Sequence, residues 1–222
     1  MTFLIKKTKY ISILLLSSCI APPSLYQEAF LRSKDAINSS KFYVTDSIRG
    51  LPYAMQIAKI GNSNEVLLVL AESSNDYLTW SSSTKELITT YNGKIIKTTG
   101  LLNDVIINNP PNIKDIYFNL KNNSNLSQSH MSFVSFSLPK ANSLEMHYSY
   151  SLQQGDIIRS RLMDKEINVL LLVETYNIPL IRFKGQNRYL IDSEGSVIKS
   201  NQKLVPNTRS FELETLKKYN GK

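Results

Sequence analysis

Apolar and polar residues alternate strictly through LEMHYSYSL (144–152). Leu144, Met146, Tyr148, Tyr150 and Leu152 share one face, and Glu145, His147, Ser149 and Ser151 share the other. A period of two belongs to a β-strand, whose successive side chains point to opposite sides. One apolar and one polar face predict an antiparallel sheet covered on one side and wet on the other. The β pattern dominates from Glu65 onward. EVLLVLAES (65–73) predicts a buried strand, and further strands follow in DYLTWSSS, KELITTY and KIIKTTG. VLLLV (169–173) is another strand-length run, and YAMQIAKI (53–60) alternates well enough for a strand after a turn at Pro52.

Asn92-Gly93 stands between two such runs. That dipeptide predicts a type I′ hairpin, because both central residues must take positive φ. The same layout returns where LEMHYSYSLQ meets DIIRSRL across Gly155, and where RYLID meets SVIKS across Glu194-Gly195. The three glycines are 62 and 40 residues apart, and such unequal spacing argues for one hairpin solution reused in a meander rather than a solenoid. A helical stripe is clearest in SLYQEAFLRSKDAINSS (24–40), with Leu25, Ala29, Phe30, Ala36 and Ile37 on one side and Ser24 as cap. NNPPNIKD (108–115) reads as a turn or crossing loop, and KNNSNLSQS (121–129) as a weakly structured polar stretch. The tail TRSFELETLKKYNGK (208–222) reads as a short helix or a fraying end. The fold expected is mainly β: an antiparallel meander forming a sandwich or half-open barrel, with a short N-terminal helix. It occupies a single domain over 25–222, with a division into two lobes near 108–130 left open.

The start of the chain follows a different logic. Lys6, Lys7 and Lys9 precede a short apolar core, Tyr10 to Leu16, and then Ser17-Ser18. This is the pattern of a secretory signal over 1–18, and the core is too short for a bilayer span, which takes about 20 apolar residues. The sole cysteine, Cys19, comes next. Leu16-Ser17-Ser18-Cys19 resembles a bacterial lipobox. The resemblance implies diacylglyceryl transfer to the Cys19 sulfur, cleavage before it and acylation of the new amino group. A single acyl chain holds a protein only marginally, whereas two or three on one residue anchor it stably. Ile20 stands where an aspartate would imply inner-membrane retention, so the expected destination is the outer membrane, lipid-anchored at its periplasmic face. Residues 19–24, ending in APPS, form the acylated tether.

Charge and candidate chemistry exclude more than they select. Removing Lys6, Lys7 and Lys9 lowers the formal charge from +8 to +5, and no run of five basic residues occurs. Nucleic-acid surfaces cluster their Lys and Arg, so a nucleic-acid partner is not expected. His130 and His147 are the only histidines, and with Cys19 accounted for no metal set can be assembled from His and Cys. No Gly-x-Ser-x-Gly elbow marks a nucleophile, and NGKIIKTTG reads as a hairpin rather than a phosphate loop. No catalytic residue and no cofactor are expected. Trp80 is the one tryptophan. It reads either as a core residue or as a sugar-stacking platform, and the same two readings apply to Tyr148 and Tyr150.

Two longer stretches carry a family resemblance. LTWSSSTKELITTYNGKIIKTTGLLND (78–104) is similar to the YjbF family, the group 4 capsule polysaccharide lipoproteins, at Trp80, Ser82, Leu87, Thr89, Gly93, Lys94, Ile95, Thr98, Gly100, Leu101, Asn103 and Asp104. NRYLIDSEGSVIKSNQKLVPN (187–207) resembles the family's closing pattern around Gly195, with Leu190 where an aromatic is common, and LPYAMQIAKIG (51–61) resembles its Leu-Pro-Tyr-Ala segment. The resemblance implies an outer-membrane lipoprotein linked to capsule or exopolysaccharide export, mostly antiparallel β, without catalytic residues. Gly93, Thr98, Gly100, Leu101, Asp104 and Gly195 enter as structural motif positions. The function expected is a non-enzymatic accessory or binding module, with polysaccharide or polysaccharide export proteins as partners and the membrane held through the N-terminal lipid. The rivals are a lipid or lipoprotein carrier with a concave apolar sheet, and a polysaccharide-processing enzyme with two carboxylates about 5–10 Å apart.

Overall fold

The computed structural model describes residues 48, 50–123, 128–138, 140–159, 165–204, 206 and 208–221. The expected helix at 24–40, the signal segment and Cys19 lie outside them. Among the described residues twelve strands follow one another: β1 (Met55–Ile60), β2 (Val66–Ser74), β3 (Tyr77–Ser81), β4 (Leu87–Tyr91), β5 (Lys94–Thr99), β6 (Val105–Asn108), β7 (Gln128–Phe136), β8 (Ala141–Arg159), β9 (Glu166–Ile178), β10 (Phe183–Ile191), β11 (Val197–Gln202) and β12 (Phe211–Lys217). A helix, α1 (Ile113–Asn122), joins β6 to β7. Each strand pairs antiparallel with its neighbours in sequence, and β1 pairs with β12 to close the barrel. Closure corrects the expectation of a sandwich or half-open barrel, and it leaves no sheet edge unpaired. α1 lies inside the segment 108–130, between two strands that are themselves paired, and is a different helix from the one expected at the N-terminus.

Alternation sets which side chains face inward. On β8, Leu144, Met146, Tyr148 and Tyr150 are buried, whereas Glu145, His147, Ser149 and Ser151 are exposed. β9 continues the inner surface with Leu172, Tyr176 and Ile178, and β10 with Tyr189 and Ile191. Fully burying such a side chain contributes about 1.5–3 kcal/mol. A second apolar cluster lies on the outer face of β1 and β2, where Met55, Ile57, Leu67 and Val69 pack with Ile48, Leu51 and Leu216.

Two of the three expected hairpin returns are tight turns. Asn92 and Gly93 take φ of 47° and 84°, and Gly195 takes 81°. The third is overturned: β8 runs unbroken from Ala141 to Arg159 through Gly155. A register shift falls between Gln154 and Ile157, and a Cβ at Gly155 would lie 2.1 Å from the Val169 carbonyl oxygen. The glycine admits a close approach of β9 at a bulge. The tail is a strand too, since Phe211–Lys217 is β12, paired with both β1 and β11.

The seam between β5 and β6 is thin, with the single register pair Lys97 and Ile106. The motif Thr98-x-Gly100-Leu101-x-x-Asp104 holds it. One Asp104 carboxylate oxygen accepts from the Thr98 hydroxyl at 3.0 Å and from the Leu101 N–H at 3.1 Å, and the other accepts from the Gly100 N–H at 3.0 Å. Thr98 Oγ1 in turn accepts from the Val105 N–H. The Asp104 N–H donates to Ser137 at 2.7 Å, which ties this loop to the one between β7 and β8.

Candidate functional site

Proline at 110 and 111 stops β6, and Asn112 then caps α1, its side chain accepting from the Lys114 and Asp115 N–H groups at 3.1 and 3.3 Å. Ile113, Ile116, Tyr117 and Leu120 recur at helical spacing and are buried. They belong to the barrel's core cluster, so α1 plugs the end of the barrel where the Asn92-Gly93 and Glu194-Gly195 turns lie. Asn92 donates to the Asn112 side chain at 3.0 Å, which fastens the β4–β5 hairpin to the plug. A Cβ at Gly195 would sit 2.7 Å from the Phe118 ring, so the glycine is the seat on which α1 rests.

The start of β5 is covered on both faces: Lys94, Ile95 and Ile96 are all buried. Its partner lies across the barrel, six strands away in the order. Gln202 of β11 accepts from the Ile95 N–H and donates to the Gly93 carbonyl, both at 2.9 Å. Opposite walls thus meet in the middle of the barrel.

Beyond β5 the interior is aromatic and charged. Lys94 Nζ donates to Glu174 Oε1 at 2.6 Å, and neither side chain is exposed. Asn187 donates to the same oxygen at 2.5 Å and the Tyr189 hydroxyl at 3.4 Å. The Lys94 ammonium lies 4.4 Å from the centre of the Tyr148 ring. Burial pulls the Lys94 pKa below the usual lysine value, against the pull of Glu174. Burial, followed by the charge of Glu174, pushes Tyr148 and Tyr189 well above the ordinary tyrosine value, and Tyr150 and Tyr176 are raised by the same causes. The strand register sets Tyr150 opposite Glu174. The Glu174 Oε2 and the hydroxyls of Tyr148 and Tyr150 are buried and make no hydrogen bond among the described residues.

On the near side of β5, a cleft of about 230 Å³ opens at the mouth beside α1. Asn75, Asp76, Asn92, Lys114, Lys218 and Tyr219 are among its lining side chains, over a floor that includes Leu78 and Trp80. Lys218 is held by Asp192 at 2.6 Å and Glu194 at 3.1 Å. Asp192 also accepts the Glu194 and Ser196 N–H groups, which shapes the turn at the rim.

Trp80 is 1 % exposed, and its indole N–H donates to the Thr90 hydroxyl at 3.0 Å. It packs as a core residue and reaches the cleft only at its floor. Tyr148 and Tyr150 are also buried, with ring centres 6.2 Å apart, on the other side of β5. The three aromatics are therefore not brought together. Gly93 and Gly195 stand at the mouth, whereas Thr98, Gly100, Leu101 and Asp104 lie at the opposite end. His147 is exposed and paired with Glu145 on the outer wall. His130 is half-buried on β7, its Nε2 2.8 Å from the Asn109 carbonyl oxygen, rather than free in solvent. The Lys94–Glu174 centre had one signal in the sequence. Positions 170, 172, 176 and 178 on the inner face of β9 are apolar, and Glu174 interrupts them.

A family model described as "Group 4 capsule polysaccharide lipoprotein gfcB, YjbF" matches residues 28–216. The crystal structure of a hypothetical lipoprotein, YmcC from Escherichia coli (K12), shares this fold with a TM-score of 0.64. The two are 18 % identical, and the likeness covers 86 % of this chain and 94 % of that one. No curated protein matches the chain.

Proposed function

The chain belongs to the YjbF family of group 4 capsule polysaccharide lipoproteins, and from that membership we propose that it is a non-enzymatic binding module for assembly or export of a surface polysaccharide. It acts from the periplasmic face of the outer membrane, held by acyl chains on Cys19. The α1 end of the barrel takes one residue or one end of the glycan. The observation that carries this reading is the cleft at the mouth, whose rim offers amide, carboxylate, ammonium and hydroxyl groups from five separate segments of the chain. At about 230 Å³ it is small beside the roughly 300–1,000 Å³ of drug-sized pockets, which suits a single sugar rather than a long stretch. Asp76 is the one carboxylate among its described lining residues, whereas glycoside hydrolysis uses a pair.

Deleting the gene should lower surface polysaccharide, and the wild-type gene should restore it. Asp76→Ala should weaken binding of the organism's own capsule oligosaccharide about tenfold, a loss of about 1.4 kcal/mol, with the melting temperature unchanged. Unaltered polysaccharide after deletion would overturn the role, and unaltered oligosaccharide binding would overturn the site.

A further inference from the structure

At the end of the barrel opposite α1, three consecutive loops carry exposed aliphatic side chains at their tips. Leu102, between β5 and β6, is 90 % exposed; Leu138, between β7 and β8, 54 %; Leu180 and Ile181, between β9 and β10, 77 % and 42 %. The backbone presents them deliberately. Asp104 draws the first loop closed around the Gly100 and Leu101 N–H groups. The Leu138 N–H donates to Asn103 at 3.2 Å, which locks the second loop against the first. In the third, a 3₁₀ turn at Pro179–Ile181 ends on Arg182 with φ of 51°, and the Arg182 N–H returns to the Pro179 carbonyl.

Cations accompany these tips. Lys140, Arg182 and Lys184 are exposed beside them. A groove of about 450 Å³ lies between the first two loops, where Lys97 and Lys140 stand with Thr99, Ser135 and Asn142. Asp104 is the one carboxylate among the described residues of the three loops and the groove, and its oxygens are already taken within its own loop.

We propose that this half-rim docks on the surface of an anionic bilayer, with Leu102, Leu138, Leu180 and Ile181 entering the interface and Lys97 and Lys140 receiving lipid head groups. Aliphatic side chains with flanking Lys and Arg are what interfacial binding uses: buried apolar area plus attraction to anionic lipid. The tips stand apart on separate loops, and the groove between two of them is lined mostly by lysine, hydroxyl and amide groups. A deformable lipid surface fits that arrangement, and a preformed protein ridge does not. The family is one of lipoproteins, so a membrane is at hand. Residues 20–47 supply 28 residues of chain. Fully extended at about 3.3 Å each they would reach about 90 Å, and with the expected helix at 24–40 about 60 Å, still about twice the roughly 30 Å of a nine-residue strand. The body can therefore stand on this rim with the α1 mouth turned away from the membrane.

The test uses the protein as cells produce it, reconstituted into vesicles of phosphatidylethanolamine and phosphatidylglycerol carrying brominated acyl chains. Trp80 is buried and supplies a constant background. Leu102→Trp and Leu180→Trp should each be quenched severalfold more than Asn119→Trp on the exposed face of α1. Adding Lys97→Gln/Lys140→Gln to Leu102→Trp should remove the excess of quenching over that seen in phosphatidylcholine vesicles. Equal quenching at all three positions, or none at 102 and 180, would overturn the proposal. The outcome is independent of the role at the mouth, which oligosaccharide binding tests separately.

Discussion

Lys94 and Glu174 meet at 2.6 Å with no exposure on either side, and such a pair must be judged against the water both have lost. Their attraction, with Asn187 and Tyr189 on the same oxygen, offsets that desolvation only while all the partners are present. Lys94→Met leaves a buried carboxylate with two neutral donors, and it should destabilise the barrel by about 3–5 kcal/mol. Glu174→Leu leaves an ammonium whose pKa burial already lowers. Shedding its proton gives that variant an escape, so it should cost less. The double variant Lys94→Met/Glu174→Leu removes both charges and should be more stable than Lys94→Met alone. Urea unfolding with matched m-values measures all three, and a double variant as damaged as the sum of the singles would show that the two groups act separately. Neither partner could be paired from sequence, because 80 residues separate them and only barrel closure brings them together. What the sequence does display is the anomaly of one acid among the inward apolar positions of β9.

The hairpins were legible wherever local chemistry decides the backbone. Asn92, Gly93 and Gly195 need positive φ and have it. Gly155 carries the same surrounding pattern, Gly-x-Ile-Ile with a basic residue next, yet sits within a 19-residue strand. Its role comes from β9 pressing on it, which no local pattern reveals. β12 was missed for a related reason, since a polar tail becomes a strand only when β1 and β11 supply its partners. α1 shows a third case: two prolines and an asparagine mark a turn, and the ten helical residues after it become visible as a plug only once a barrel mouth exists to receive Ile113, Ile116, Tyr117 and Leu120. The seat of that plug is testable. Gly195→Ala puts a Cβ 2.7 Å from Phe118 at a φ of 81°. The backbone conformation alone costs about 1–2 kcal/mol, and displacing Phe118 adds to it. Phe118→Ala in the same chain should return the second part and not the first. Hydrogen exchange should quicken at the α1 amides of Gly195→Ala while β8 and β9 stay protected, and a uniform loss of protection would deny α1 its separate seat.

Taken as a whole, the molecule is a closed meander whose two ends differ. One is plugged by α1 and rimmed with sugar-compatible groups, the other carries aliphatic tips and lysines, and a polar centre joins the walls between them. That centre also decides how the barrel responds to alkali. Tyr148, Tyr150, Tyr176 and Tyr189 all have raised pKa values in the fold, by burial first and the Glu174 charge second. Above about pH 10 the unfolded chain loses these protons while the barrel keeps them. The folded state then binds more protons than the unfolded one, so stability is fully present below pH 10 and falls above it, by about 1.4 kcal/mol per pH unit for each group. Lys94 works the other way. Its pKa is lowered in the fold, so its contribution rises with pH up to about 10.5 and then stops. Four tyrosines outweigh one lysine, and the net slope beyond pH 10.5 is on the order of 5 kcal/mol per pH unit. The barrel should therefore unfold cooperatively in alkali. Part of the tyrosinate absorbance should appear only in that step, together with loss of near-ultraviolet circular dichroism. A smooth titration of all 12 tyrosines near pH 10, with the dichroism intact, would mean that water reaches the centre.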